Sequence, residues 1–508
     1  MNSNAVNNAF SNEAVLCADR LSQRMPKMGT VPAKVLVERT VQKVLDLGRL
    51  PYAKLALDGQ LKHGTIVDFG RCALESGTGR LLLSKKQWIQ GVAEFLVHWC
   101  YCFISLLAVR FASRQMQGVV LAFGISTESI FVAGQDAEFA DYCRQTPVLP
   151  LRDAKYLYIQ STVSAGTSTD PRITYVPRPL IELVRRGKLG GVARMRAVTA
   201  HVLGLVEFLM AACRCTEVAL LGRDFAYVKV VVALDSSQLL QAVVTTCSSV
   251  AEQPLWGRCL TNAKVHMVWY AQNWRPVVFK ADGVESEIPF MAWLRVDVNW
   301  VWTHKFAEYL HRLVGGGATY AVGPIVWRNH DLTRHEKKSF QIAVFDVSPY
   351  SDETALSYCE YPNYNHPSNL IKFVEDIIEL RSIWQRLVNS RVVLRLKTKR
   401  GYLTAYDRSY FNLLEKLHAE GEIELEHHTA NIFDLISSGQ AVIAYPFTSP
   451  PYLADAVFVP SIYYDPTCGI MEQNFADEQT YIQFASGKEQ LNSKMIRLMC
   501  GKTEHARH

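Results

Sequence analysis

The sequence predicts an α/β protein made of two consecutive Rossmann-like units behind a helical N-terminal region. Three observations predict it. Short apolar runs alternate with helical stretches from Gly118 onward, the alternation lapses over a charged segment near residue 330 and restarts, and the residues before Gly118 carry helical periodicity instead. Parallel neighbours need crossover connections, so strand and helix alternation implies a parallel sheet. The expected boundaries are 1–117 for the helical region, 118–328 for the first α/β unit and 329–508 for the second.

Composition agrees with this and excludes other classes. At roughly 150 residues per domain, 508 residues, 49% of them hydrophobic, suffice for sizeable cores and exclude disorder. Lys+Arg 54 against Asp+Glu 48 leaves a net charge of +6, too dilute to imply nucleic-acid binding. The 12 Cys follow no framework spacing, which suits a reducing compartment and a cytoplasmic location. The start, MNSNAVNNAFSNEAVL, lacks the basic residues, apolar run and cleavage site of a secretory signal, so export is not expected.

In the first region VLVERTVQKVLDLG spaces Val35, Leu36, Val41, Val44 and Leu45 helically and stops at Gly48. The most apolar segment, Phe95 to Val109, has about 15 residues where a spanning helix wants roughly 20. It reads as a buried core helix. The alternative is a helix lying in the plane of an anionic membrane, with Lys85, Lys86, Arg110 and Arg114 at the head groups, which makes residues 85–114 a candidate peripheral contact. No other segment competes as a span.

The first α/β unit begins with GVVLAFG and KYLYIQ (155–160) as strands around AEFADYCRQ, followed by a polar loop (161–172) and a helix running from Val198 through Met210. YVKVVVALD (227–235), QAVVTTCSS (241–249) and KVHMVWYAQN (264–273) read as further strands. After a helix near 303–314 and GGG (315–317), the link between units is expected from Gly323 to His335, where Pro324 and RNHDLTRHEKK break the pattern. The second unit opens with the strand SFQIAVFDVSP (339–349) and the amphipathic helix 369–388, with Leu370, Phe373, Ile377 and Trp384 on neighbouring turns. RVVLRLKTKRG (391–401), YFNLLEKLHAEGE (410–422), IELEHH, NIFDLISSG, AVIAYPFTSPPYLADA and PSIYYDP continue the alternation.

Two such units imply a cleft, and in open α/β sheets ligands bind beyond the carboxyl ends of strands. Candidate residues therefore follow apolar runs. Thr448 and Ser449 of PFTSP sit where a helix starts, either as plain N-caps or as hydroxyls for a phosphate. Lys397, Lys399 and Arg400 end the strand VVLRL and suit a diphosphate, a solvated basic loop being the alternative. Tyr463, Tyr464 and Asp465 follow PSI, where aromatics either pack or contact a base or sugar, and Gly323 with Pro324 joins them as a base- or sugar-side candidate. In the first unit Asp235, reading as a strand end, is the candidate general base or else a helix N-cap. Ser248, Ser249, Tyr270, Gln272 and Asn273 are acceptor-side candidates.

Other chemistries fail on spacing. Gly501 to Thr503 lacks the glycine of a phosphate loop, and no GxGxxG, HExxH or GxSxG occurs. Cys100/Cys102 and Cys213/Cys215 lie in expected helices where i and i+2 diverge, and His427-His428, His330 and His335 have no partner spacing. Neither a metal site nor a cofactor is expected.

PLW (254–256), HMVWYAQN (266–273), YAVGPIVW (320–327), IAVFDVSP (342–349), LRLKTKR (394–400), PFTSP (446–450) and IYYDPT (462–467) together resemble the polysaccharide biosynthesis PFTS motif family of surface-carbohydrate, or O-antigen, proteins. That resemblance implies a GT-B-like fold and a bacterial glycosyltransferase at the inner face of the cytoplasmic membrane, taking a nucleotide-sugar donor and a lipid-linked or polysaccharide acceptor. Transferases using cytidine-monophosphate sugars are similar in placing Ser or Thr at a helix start against the donor phosphate. Their His-Pro motif is here Lys397-Thr398-Lys399-Arg400, so a CMP-linked and a diphosphate-linked donor both stay open. The alternatives are a nucleotide-sugar epimerase or hydrolase, and a non-catalytic scaffold of a polysaccharide-assembly complex.

Overall fold

The computed structural model describes residues 3–25, 31–108, 117–123, 136–160, 170–186, 191–247, 253–271, 277–280, 283, 293–314, 316–326, 339–357, 363–401, 406–472 and 481–505. The chain divides into two compact units, one of residues 1–270, 288–302 and 310–329, the other of residues 271–287, 303–309 and 330–508. The N-terminal region thus belongs to the same compact unit as the first α/β sheet.

That region is not helical throughout. Between the helices Ala33–Leu57 and Lys85–Leu107 lies an antiparallel meander of β1 (Ile66–Asp68), β2 (Ala73–Glu75) and β3 (Arg80–Leu82). Each strand turns a single residue inward, Val67, Leu74 and Leu81, the period-2 pattern of a sheet with one wet face. The strands are so short that the helical periodicity around them masks this alternation. Ser84 then starts the next helix by a capping box, its hydroxyl accepting from the Gln87 N–H while its own N–H donates to the Gln87 side chain.

Seven described strands form the first parallel sheet: β4 (Val119–Ala122), β5 (Tyr156–Gln160), β6 (Ile173–Val176), β7 (Leu240–Thr246), β8 (Lys264–Val268), β9 (Val298–Val301) and β10 (Ala318–Ala321). Their order is β10-β9-β8-β7-β4-β5-β6, every pair parallel. The second sheet, of β11 (Phe340–Phe345), β12 (Val392–Lys397), β13 (Glu424–Glu426), β14 (Ala441–Ala444), β15 (Ser461–Asp465) and β16 (Ile482–Ser486), is also wholly parallel, in the order β13-β12-β11-β14-β15-β16. In both, the chain starts mid-sheet, steps to one edge, returns to the middle and steps to the other edge. That is the Rossmann order 3-2-1-4-5-6, and the first sheet adds one strand to it. The protein therefore contains two Rossmann-like α/β units.

One segment read as a strand is a helix. Residues 227–235 lie inside the helix Gly222–Ser236, packed beside the helices Lys85–Leu107 and Gly191–Arg214. Phe225, Val228, Val230, Val231 and Leu234 are all buried, so the helix is apolar on nearly every side. A helix enclosed in this way shows no polar face, and its valine run imitates a buried strand. Close packing on its first turn depends on glycine: a Cβ on Gly91 would lie 2.2 Å from the Ala219 carbonyl oxygen, and one on Gly222 2.2 Å from that of Gly91.

The core of the second unit is organised by the helix Pro367–Val388. Its inward residues Leu370, Phe373, Ile377, Leu380 and Trp384 recur at three and four residues and meet Tyr445 and Tyr464 of the sheet. Burying each such side chain contributes roughly 1.5–3 kcal/mol. The helix ends at Asn389, whose φ of 49° is the left-handed conformation that asparagine tolerates.

Candidate functional site in the second unit

The chain reverses its direction of travel across the second sheet between β11 and β14, which pair in register up to Phe345 and Ala444. The carboxyl ends of these two strands flank the topological switch point, where open α/β sheets bind ligands. The residues that follow are Asp346 to Ser348 on one side and Tyr445 to Ser449 on the other. β12 ends alongside, with Lys397 opposite Phe345. By strand spacing the ends of β12 and β14 are about 10 Å apart. The switch point thus gathers Lys397, Thr448 and Ser449 on neighbouring strand ends.

Lys397 is buried, its ammonium 3.3 Å from the Thr398 carbonyl oxygen. Burial lowers its pKa, and the negative charge of Asp346 opposes that shift. Lys399 and Arg400 are exposed at the turn beyond the strand. Asp346, which sequence reasoning did not single out, is fully enclosed: it accepts the Lys399 N–H at 2.6 Å and the Tyr410 hydroxyl at 2.8 Å. Loss of water pushes its pKa up to about 7, although both hydrogen bonds and the nearby lysines pull it down. Two residues on, the buried Ser348 hydroxyl has no hydrogen-bond partner among the described residues. Leaving a buried hydroxyl unpaired costs about 1–3 kcal/mol, so such a group at a strand's carboxyl end is a candidate contact. The rule that polar residues after apolar runs face a ligand would have flagged both Asp346 and Ser348.

The turn after β14 departs from expectation. Phe447 holds a positive φ of 60°, strained for a residue with a Cβ, and is buried against the rings of Tyr463 and Phe484. Thr448 is buried, and its hydroxyl donates back to the Tyr445 carbonyl at 3.0 Å, closing the turn. Ser449 is half-buried at the N-cap of the helix Pro450–Ala456 and makes no capping bond to it. The first two helical residues are prolines, which have no N–H, and the N–H groups of Tyr452 and Leu453 are bonded to the Ser449 carbonyl. The amide donors expected for an anion are therefore missing or spent, and Ser449 is the half-buried hydroxyl residue of this turn, where Thr448 is buried.

The aromatic pair is structural. Tyr463 and Tyr464 are completely buried, the former donating to the Thr448 carbonyl and the latter to the Asp376 carboxylate. No face is left for a base or sugar. Asp465 is equally buried and accepts from the Tyr364 hydroxyl at 2.7 Å, from the N–H and hydroxyl of Thr467 and from the Ile470 N–H. The segment holds the switch-point turn in place.

Asp235, Gly323, Pro324 and Tyr270 belong to the first unit. Asp235 lies at the end of a helix, not of a strand, and is fully buried. Its carboxylate accepts the N–H groups of Thr261, Asn262 and Ala263 and the Thr261 hydroxyl, all between 2.7 and 3.1 Å. A carboxylate so enclosed holds the next loop and reaches no substrate, so the general-base role does not stand. Gly323 donates its N–H to the Trp302 carbonyl at 3.1 Å with φ of 82°, Pro324 is exposed, and Tyr270 is half-buried beyond β8. Ser248, Ser249, Gln272 and Asn273 lie outside the described residues. Among the described residues no three His, Cys, Asp or Glu side chains gather as metal ligands.

A family model described as polysaccharide biosynthesis PFTS motif protein matches residues 206–495. No curated protein matches the sequence. Among solved structures, TarM aligns with 12% identity and a TM-score of 0.35 over 55% of this chain and 51% of its own. The chain thus spans about half the length of TarM. The wall teichoic acid polymerase TagF aligns at 8% and 0.35 over 82% and 89% of the two chains, and a UGT transferase from Siraitia grosvenorii in complex with UDP at 13% and 0.38 over 76% and 92%. The Rossmann assignment stands on strand order and not on these remote overlaps.

Proposed function

Since the chain belongs to the polysaccharide biosynthesis PFTS motif family, we propose that it is a glycosyltransferase of the GT-B kind, moving a sugar from a nucleotide-sugar donor to a surface-polysaccharide or lipid-linked acceptor of the O-antigen type. The second unit takes the donor and the first unit the acceptor. The observation that carries this reading is the switch point between β11 and β14, which collects a buried lysine, a buried serine without a hydrogen-bond partner among the described residues, and Ser449 at adjoining strand ends.

In the reaction, the bond between the sugar's anomeric carbon and the donor phosphate breaks, the phosphate keeps the electron pair, and an acceptor hydroxyl oxygen forms the new bond as its proton leaves. Negative charge grows on the phosphate. Lys397, with Lys399 and Arg400 at the rim and the hydroxyls of Ser449 and Ser348, stabilises that charge where it develops. A phosphate beside Lys397 also favours the charged ammonium against the burial that lowers its pKa. In this reading protein cations do the work that a metal does elsewhere, the donor is CMP-linked or diphosphate-linked, and the enzyme works at the cytoplasmic face of a bacterial membrane.

The test is a calorimetric screen of the full chain against CMP, UDP, GDP and TDP, repeated with Ser449→Ala. Selective binding that the variant weakens supports the reading. Absence of binding to every nucleotide overturns it.

A further inference from the structure

Two helices among the described residues are long and apolar enough to cross a membrane, Lys85–Leu107 and Gly191–Arg214, so the first has a competitor that the sequence reading did not see. They pack against each other. Phe95 stacks on Phe208 with ring centroids 3.9 Å apart and Trp99 on His201 at 4.9 Å, while the Trp99 indole N–H donates to the His201 carbonyl at 2.9 Å. Pairing of 95 with 208 and 99 with 201 makes the helices antiparallel. Their contacting faces are spent on each other and on the helix Gly222–Ser236, yet only 28% and 33% of their most apolar windows are buried. Val97, Ile104 and Leu107 on one and Met195, Leu203 and Val206 on the other are 50–67% exposed. A buried core helix does not look like this.

A cavity of about 570 Å³ lies in the same unit, walled by Phe123, Gln160 and Pro177 at the carboxyl ends of β4, β5 and β6. Seven cationic side chains line it against two acidic ones, Glu94 and Asp224. Glu94 pairs with Arg71 at 2.8 Å and Asp224 with Arg39 at 3.1 Å, while Glu38 outside the lining serves both Arg258 and Arg295. Among the described residues, Lys43, Arg178 and Arg223 form no ion pair, and the buried Arg39 Nε and Arg258 Nη1 have no hydrogen-bond partner. Buried donors without a partner are costly unless an acceptor meets them, and unpaired cations around them favour an anion as that acceptor. The guanidinium of Arg178 also sits 4.9 Å over the ring of Tyr101, which stands on the exposed apolar stripe. The cationic cavity and the apolar face therefore share a border.

We propose that this cavity takes the phosphate or diphosphate head of a membrane lipid whose hydrocarbon lies along the exposed faces of the two helices. This deepens the acceptor half of the function proposed above, and rests on it in naming that lipid the carrier of the acceptor sugar. Charge complementarity at the cavity and apolar surface beside it select an amphiphile over a soluble anion or a second protein.

The test is co-flotation of the full chain with phosphatidylcholine vesicles containing phosphatidic acid, a phosphate monoester, or phosphatidylglycerol, a diester, at matched surface charge. Phosphatidic acid vesicles are expected to bind about 10-fold tighter, as charge-assisted bonds to an entering head group require. Inorganic pyrophosphate competes, and Arg178→Glu with Arg223→Glu, both at exposed positions, abolishes the preference without lowering Tm. Val97→Asp with Val206→Asp should lose vesicle binding while keeping pyrophosphate binding. Equal binding to both vesicles reduces the surface to nonspecific charge attraction and overturns the inference. Pyrophosphate binding without recruitment to any vesicle also overturns it, in favour of a soluble phosphate ligand. Nucleotide binding measured on the same preparations separates the two readings: if it persists while vesicle binding fails, this inference alone falls.

Discussion

The backbone N–H of Lys399 donates to the buried carboxylate of Asp346 at 2.6 Å, tying the turn beyond β12 to the end of β11. The cationic loop is thereby fixed beside the switch point by a group that water does not reach. Asp346 is held protonated up to about 7 in the folded chain, whereas an unfolded aspartate ionises near 3.8. Between those values the folded state binds more protons than the unfolded one, so this group's contribution to stability falls as pH rises from 3.8 to about 7 and is level outside that window. Asp346→Asn cannot titrate. Urea unfolding across this range should show the wild type losing stability relative to the variant as pH rises, and parallel curves would remove Asp346 as the source.

The two hydroxyls of the PFTS turn should separate cleanly. Thr448 spends its hydroxyl on the Tyr445 carbonyl, so Thr448→Val should cost about 1 kcal/mol of stability and leave nucleotide affinity unchanged. Ser449 lies half-buried at the helix start and makes no capping bond to it, so Ser449→Ala should weaken nucleotide binding about 10-fold, the value of one hydrogen bond to a charged group, and lose less stability than that affinity change. Calorimetry and thermal unfolding of both variants check the pair. A reversed pattern would move the phosphate contact to Thr448.

Tyr464 donates its hydroxyl to Asp376 on the helix Pro367–Val388, locking β15 to that helix inside the core. Tyr464→Phe leaves a buried carboxylate with one bond fewer and should cost about 1.5–3 kcal/mol. Denaturant midpoints measure this. Because no face of the ring reaches solvent, nucleotide affinity of the folded variant should match the wild type, and a selective loss of affinity would restore a ligand-contacting role.

The second unit was legible because its strands are apolar runs bounded by turn residues and its main helix shows a clean apolar face, as with Leu370, Phe373, Ile377 and Trp384. Strand-end logic likewise led to Lys397 and Ser449. It did not reveal that Thr448, Tyr463 and Tyr464 are consumed internally, since residue type says nothing of where a hydroxyl points. The cationic cavity was illegible for another reason: Arg39, Arg71, Arg178 and Arg258 come from segments far apart in sequence, and only folding adds their charges together. The outer helix pair was half legible, because 191–214 carries arginines that blur its apolar stripe until the exposed face is seen.

Asp235 gives the sharpest contrast between a catalytic and a structural carboxylate. A general base must reach an acceptor hydroxyl, whereas Asp235 closes the helix Gly222–Ser236 onto the loop at Thr261 to Ala263 through four hydrogen bonds to its carboxylate oxygens. Asp235→Ala deprives three backbone N–H groups of their acceptor at once, that of Ala263 being buried, and should destabilise the chain by about 1–3 kcal/mol. Asp235→Asn keeps an acceptor oxygen and should lose less. A base would behave otherwise: both substitutions would cut turnover by factors of about 100 or more at unchanged stability. Tm measured beside turnover per folded molecule decides between them, and the expected result is a falling Tm at nearly constant turnover.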